Sequence, residues 1–338
     1  KNYQFNMDNI FPDEIFLRIF RYLPRLYLFR GFYNLNSRLN RIISEARVHF
    51  GDVGLSKDEQ KYILPYVQPK QIRSFAVYEE EYKYSRLNEC INIRRLTFWN
   101  SSPYNVYTYQ HPDLIHVKPS IFPHLKHLTI YVQSWSNVYI NLCIMIFGNE
   151  FLTLESVELP YANGTGWTSK IKTWSINLKN VKIQCCNMSM YYPLLNNLPN
   201  ILRFHCGFGV TYRASLTKKC LPLTHLTLET YDIWSTSSEG CYTAFGFSDM
   251  MDLFKRSPNL EDTTIYIRGF ELEDIIDQLH RVLSNCPKLT RYYCDLRYRE
   301  KNSVCINEIK KRYRLFEDCT AYTSEGSKEH RCYLKKYR

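Results

Sequence analysis

Twelve cysteines and nine histidines are the residues of this 338-residue chain whose types could hold a metal or attack a substrate. A structural metal site needs such residues in short, fixed spacings, because the ligands must converge on one ion. Here the cysteines are scattered; one adjacent pair occurs at Cys185-Cys186, and no Cys-x-x-Cys exists. A nucleophile needs a neighbouring base or an exposed elbow, and no Gly-x-Ser-x-Gly is present. Cys185, Cys186 and Cys206 fall on or beside positions that a strand would bury. His124 and His127 flank Leu125 and read as solvent-facing residues where a strand begins. His205 lies on the outward side of another strand, and spacing identifies no carboxylate or cysteine partner for it. Glycine is scarce, and the closest approach to a phosphate cradle is the lone pair Gly207-x-Gly209. The expectation is a chain without catalytic residues, metal or cofactor: not an enzyme.

Composition narrows the classes further. Buried free thiols suit a reducing compartment, so a cytoplasmic or nuclear protein is expected. The most apolar stretch, Ile140 to Phe147, is too short to span a bilayer. The formal charge is +11, and residues 297–338 hold twelve Lys or Arg against six Asp or Glu. Lys310-Lys311-Arg312-Tyr313-Arg314 is the densest part. Acidic residues are interleaved throughout that tail, which favours a solvated basic face over a nucleic-acid patch.

The elements that would position any function begin at residue 11. Pro12 suits a helix start, and Asp13 and Glu14 follow in the first turn, where negative charge opposes the helix dipole. Ile15, Ile19 and Leu23 recur at spacing four, with Phe16 and Phe20 on the adjoining row and Arg18 and Arg21 opposite. Pro24 ends this helix. Leu26, Leu28, Phe29, Phe32 and Leu35 form a second apolar stretch, and Asn36 or Ser37 can cap a third helix carrying Leu39, Ile42 and Ile43. Three such helices are too small to bury a self-sufficient core, so they must lean on something else.

Phe11-Pro12-Asp13-Glu14-Ile15, Ile19-Phe20-Arg21-Tyr22-Leu23, Leu28 and Asn34-Leu35-Asn36-Ser37-Arg38-Leu39 together resemble an F-box. Arg38-Leu39-Asn40 stands where that family usually carries a basic-Trp pair. The resemblance implies an F-box over residues 10–48, docking through Phe11, Pro12, Ile15, Phe16, Ile19, Phe20, Leu23 and Leu28 onto a Skp-type adaptor and through it a cullin. On that reading Pro12, Ile15, Phe16 and Ile19 should be at least partly exposed. The other reading of the same helices is a structural cap on the domain that follows. Ser56-x-x-Glu59 is a capping-box pattern opening a helical linker over residues 49–70.

From about residue 70 one pattern returns: apolar, two others, apolar, one other, apolar. It runs through Ile72-x-x-Phe75-x-Val77, Ile93-x-x-Leu96-x-Phe98, Leu125-x-x-Leu128-x-Ile130, Leu154-x-x-Val157-x-Leu159 and Leu178-x-x-Val181-x-Ile183. Ile201-x-x-Phe204-x-Cys206, Leu223-x-x-Leu226-x-Leu228, Leu260-x-x-Thr263-x-Ile265 and Leu289-x-x-Tyr292-x-Cys294 complete it. The last two apolar positions lie two apart, the strand period. Three residues before the motif stand Cys90, Phe122, Phe151, Ser175, Leu198, Cys220, Ser257 and Cys286, which can be buried as the chain turns into each strand. Helices are expected over 271–283, 248–254 and 141–147, and loops over 101–119 and 231–246. The pattern resembles the Cys-containing leucine-rich repeats often found downstream of F-boxes.

The expected fold is therefore α/β. An N-terminal three-helix F-box precedes an irregular leucine-rich-repeat solenoid over residues 71–296, whose curved, mainly parallel sheet has eight or nine short strands in sequence order. A basic segment, 297–338, caps the array. With the motif's apolar positions inward, the outward row is Thr97 and Trp99, Thr129 and Tyr131, Glu158, Lys182 and Gln184, His205, Thr227 and Glu229, Thr264 and Tyr266, Tyr293 and Asp295. Trp99, Tyr131, Lys182, His205, Tyr266 and Tyr293 are the candidate contacts for a protein substrate. The combination implies the substrate-recognition subunit of a Skp–cullin–F-box ubiquitin ligase. The alternative is a repeat scaffold binding an acidic protein or nucleic acid, with the N-terminal helices only a cap.

Overall fold

The computed structural model describes residues 11–45, 48–49, 57–78, 86–99, 112–131, 137–160, 162, 166–186, 188–208, 216–217, 220–230, 247–270, 272–299, 306–316, 320–323 and 329–336. The chain divides into two compact units, residues 1–134 with 151–154, and residues 135–150 with 155–338. Each is α/β and built on a mainly parallel sheet.

The first unit opens with α1 (Asp13–Phe20), α2 (Arg25–Phe32) and α3 (Ser37–Glu45). Pro12 is extended, and its carbonyl accepts from the Ile15 N–H at 3.0 Å, starting α1. Asp13 also reaches α3, accepting from Arg38 Nε at 2.8 Å and Arg41 Nη2 at 2.7 Å. Arg38 Nη2 donates to the Phe11 carbonyl at 2.6 Å, so α3 grips the start of α1. Between α2 and α3, Asn34 takes a left-handed conformation (φ 64°), and its N–H donates to Asn40 Oδ1 at 2.7 Å. Asn36, rather than Ser37, caps α3 by accepting from the Leu39 N–H at 2.8 Å. Phe16, Phe20, Leu28, Phe29, Leu39, Ile42 and Ile43 are the buried core of these helices.

The helices run directly into a sheet. After β1 (Val48–His49) and α4 (Lys57–Tyr62) come β2 (Ile72–Tyr78), β3 (Arg95–Trp99) and β4 (His127–Tyr131), parallel and in sequence order. β1 lies within the segment expected to be helical bundle alone. Gln71 is buried at the junction: its Nε2 donates to the Ile43 carbonyl at 2.7 Å and its Oε1 accepts from the Gln68 N–H at 2.8 Å.

The second unit contains α5 (Asn137–Phe147), β5 (Ser156–Glu158), β6 (Asn180–Cys186), α6 (Met188–Asn197), β7 (Arg203–Phe208) and β8 (His225–Thr230). It continues with α7 (Phe247–Lys255), β9 (Asp262–Phe270), α8 (Leu272–Ser284), β10 (Arg291–Arg299), α9 (Ile306–Arg312), β11 (Thr320–Thr323) and β12 (Glu329–Lys336). Strands β5 to β10 are parallel and follow the sequence. The last two depart from that order: β12 pairs antiparallel with β10, and β11 antiparallel with β12. The basic tail thus supplies a helix and a hairpin.

Within each unit the motifs pair like with like. Leu96 faces Leu128, Phe204 faces Leu226, Leu226 faces Thr263, and Thr263 faces Tyr292. The carbonyl of the motif's second residue accepts two N–H groups from the next repeat. Leu202 O takes Thr224 N (2.9 Å) and His225 N (3.1 Å), Thr224 O takes Glu261 N and Asp262 N, and Glu261 O takes Thr290 N and Arg291 N. The apolar positions of every motif are buried except Leu289, which is half-buried. Thr263 is tolerated among them because its hydroxyl donates to the Leu226 carbonyl at 3.2 Å.

For five motifs the residue three before the motif is explained by a tight turn. The N–H of Ile93, Leu125, Leu154, Leu260 and Leu289 donates to the carbonyl of Cys90, Phe122, Phe151, Ser257 and Cys286, at 3.1 to 3.3 Å. Those five residues are buried. Ser175 and Leu198 are buried too, whereas Cys220 is exposed, and after it the Leu221 N–H bonds to the Arg256 carbonyl just past α7. Helices α5, α7 and α8 lie where periodicity placed them, but α6 was not foreseen. Of the loops expected over 101–119 and 231–246, residues 101–111 and 231–246 lie outside the described residues, and residues 112–116 form a short 3-10 turn.

Candidate functional site

Two kinds of surface were singled out by sequence, and the first unit carries the helical one. On α1 the bundle core takes Phe16 and Phe20, while Phe11 (42% exposed), Pro12 and Ile19 (45% exposed) stay at the surface. Ile15 and Leu23 are half-buried, and Leu28 is buried from α2. Phe16 was expected to be partly exposed and is not. Its ring packs against Phe11 and Phe20, with centroids 6.3 and 6.0 Å away, and the Arg38 guanidinium lies 5.6 Å from its centre. Tyr22 and Tyr27 are exposed as well, and Leu35 is exposed beyond α2. The missed residues here are Arg38 and Arg41. An acidic first turn was legible, but nothing in the spacing tied Asp13 to arginines more than twenty positions away.

The outward strand positions form the second surface. In the first unit Thr97 was expected outward and is buried, whereas Trp99 and Tyr131 are half-buried and stack on each other, centroids 4.0 Å apart and planes at 13°. Stacking follows from register, because Trp99 and Tyr131 are direct cross-strand partners.

In the second unit the same positions bring together groups from six strands. Glu158 on β5 and Lys182 on β6 are register partners and form an ion pair. His205 on β7 faces Glu229 on β8, with Nε2 to Oε1 at 2.8 Å, so it does have a carboxylate partner. That pairing is diagonal, between the fifth position of one motif and the seventh of the next. Glu229 is in register with Tyr266 on β9, and Tyr266 with Asp295 on β10. The Tyr266 ring lies edge-on to Tyr293, 6.0 Å between centroids. Burial, then the carboxyls of Glu229 and Asp295, push the Tyr266 phenol above its ordinary value. Lys182, His205, Tyr266 and Tyr293 therefore share one face, half-buried rather than fully exposed; Gln184 lies on β6, and its side chain is outside the described residues. Asp295, expected outward, is on that face but buried at 7% exposure.

Beside this row His225 sits where β8 begins, its Nδ1 2.9 Å from the Thr224 hydroxyl. Burial, then the Arg203 charge, lowers its tendency to take a proton. Such an arrangement can hold charged and aromatic partners. Of the described cysteines outside any disulfide, Cys90, Cys143, Cys206, Cys286, Cys294 and Cys332 are buried, and Cys220 is exposed. Burial pushes the Cys286 thiol up to about 11 and those of Cys143 and Cys294 higher still, the opposite of an activated nucleophile. Among the described residues no cluster of His, Cys, Asp or Glu could hold a metal ion, and no helix is long and apolar enough to cross a membrane. No protein-family model matches this chain, and no curated protein does either.

Proposed function

We propose that this protein is the substrate-recognition subunit of a Skp–cullin–F-box type ubiquitin ligase. Its N-terminal helices dock onto a Skp-type adaptor, and its leucine-rich-repeat strands hold a protein substrate. The observation that carries this reading is the division of labour on α1. Phe16 and Phe20 anchor the helix, Asp13 and Arg38 fix its start, and Phe11, Pro12 and Ile19 are left exposed. Burying such side chains against a partner stabilises a complex by roughly 1.5–3 kcal/mol each before association costs. The chain does no bond chemistry; it works in the cytoplasm or nucleus by raising the substrate's concentration near the ligase's ubiquitin carrier.

The test is the double variant Phe11→Asp with Ile19→Asp, both at exposed positions, expressed in cells and captured from a reducing extract. Adaptor and cullin should co-purify with the wild-type chain and be lost from the variant, while its melting temperature stays unchanged. Equal recovery of both would sink the proposal.

The second reading, a repeat scaffold with a helical cap, is favoured by the bond between Gln71 and Ile43 and by β1, which join the helices to the sheet. Its acidic partner or nucleic acid would bind at α9, where Lys310, Lys311 and Arg312 fill the last turn. Binding there weakens steeply as salt rises, whereas apolar docking of α1 hardly responds.

A further inference from the structure

The strand face of the second unit holds a buried acid, one of whose oxygens has no partner among the described residues. Asp295 is 7% exposed, and its Oδ1 has no hydrogen-bond partner among the described residues. It does not point into the core: its neighbours along β10, Cys294 and Leu296, take that side with 0% exposure, which turns Asp295 to the opposite face. Three tyrosines frame it there. Tyr266 on β9 and Tyr333 on β12 are its register partners on either side, and Tyr293 stands two residues earlier on its own strand. The Tyr293 ring is 6.0 Å from both Tyr266 and Tyr333, so the rings form a continuous wall. Glu229, beyond Tyr266, adds a second carboxyl whose influence on that phenol matches that of Asp295 in sign.

A buried carboxyl without a partner is costly, and aromatic faces attract cations. We propose that this frame binds a cationic side chain, an arginine or lysine of a partner protein, with its charge over Asp295 and its stem between the tyrosine rings. A guanidinium or ammonium brings the donors that Oδ1 lacks, and the ring faces take the charge that water would otherwise solvate. An anionic ligand would meet two carboxyls instead. The site rests on the proposed receptor function only for the partner being a protein substrate; the probe below engages the isolated chain, without adaptor or cullin.

The probe is N-acetyl-arginine methylamide, titrated by calorimetry against the full chain, with the citrulline analogue as a neutral control of the same shape. The expected result is saturable binding of the arginine compound and binding at least about tenfold weaker for citrulline. Asp295→Asn should lose the arginine compound to a similar degree, and Tyr266→Ala should weaken it. Without ligand, Asp295→Asn should melt at or above the wild-type temperature, because it removes an unpartnered buried acid. Equal binding of the two probes, no binding of either, or undiminished binding by Asp295→Asn would overturn the proposal. So would a lowered melting temperature in that variant, which would mean that Asp295 is held by an arginine of its own chain, such as Arg297 two residues on.

Discussion

Asp13 accepts from two guanidiniums on α3, and the bond from Arg38, then that from Arg41, outweigh its burial and hold its carboxyl below the ordinary 3.8. A carboxyl with a depressed folded value stabilises the fold fully above its unfolded value and loses that contribution as pH falls through the folded one. Asp13→Asn should therefore lower the melting temperature at neutral pH, and the gap to wild type should close in acid, as thermal scans across a pH series would show. A gap independent of pH would mean that the two bonds carry no charge-dependent stability. This is also the scale at which sequence was least informative. Acidic residues at a helix start were legible; their partners were not, because Arg38 and Arg41 approach through the turn between α2 and α3 that Asn34 and Asn36 set. His205 escaped for a similar reason: its partner Glu229 lies one repeat on and one step diagonal, and start-to-start spacings drifting from 21 to 37 residues hide any fixed offset.

Elements were far more legible, because burial on one face imposes a period that side chains must obey. Every motif read as a strand start from its apolar positions is one among the described residues, and like positions pair across repeats. Leu226 is representative: it faces Phe204 and Thr263 on the flanking strands and is 1% exposed. Leu226→Ala should cost about 2–5 kcal/mol of stability, measured by urea unfolding, since neighbours fixed by two ladders can close little of the cavity. A cost below about 1 kcal/mol would show a loosely packed array. α6 was missed because Pro193 interrupts its pattern and removes one intrahelical donor, although Met190, Tyr191, Tyr192, Leu194 and Leu195 are buried around it. α5 ends sharply because Gly148 approaches the Ile144 carbonyl too closely for a Cβ to fit, and Asn149 follows with φ 60°.

At the scale of the whole chain, the division into two units was invisible in a repeat that reads continuously through residues 72 to 294, because the motif specifies neighbours and not where they group. The closing hairpin was invisible as well. Charge marked the tail as basic and solvated, yet Cys332 and Leu334 on β12 are wholly buried, and Tyr292 on β10 donates its hydroxyl to the Leu315 carbonyl. That antiparallel pairing has a bearing on solubility. A parallel array must stop somewhere, and its last strand would present a row of unused N–H and C=O groups to any other chain. β12 occupies that row on β10 from Tyr292 to Arg299 with a strand of opposite direction, and β11 in turn covers the other edge of β12 from His330 to Tyr333. Open strand edges template aggregation, and covering them blunts that tendency. A chain ending at residue 317 should keep its helices and thiols yet self-associate, with light scattering rising steeply with concentration where the full chain stays flat. If the shortened chain remains dispersed, α9 alone shields β10 and the hairpin serves some other end.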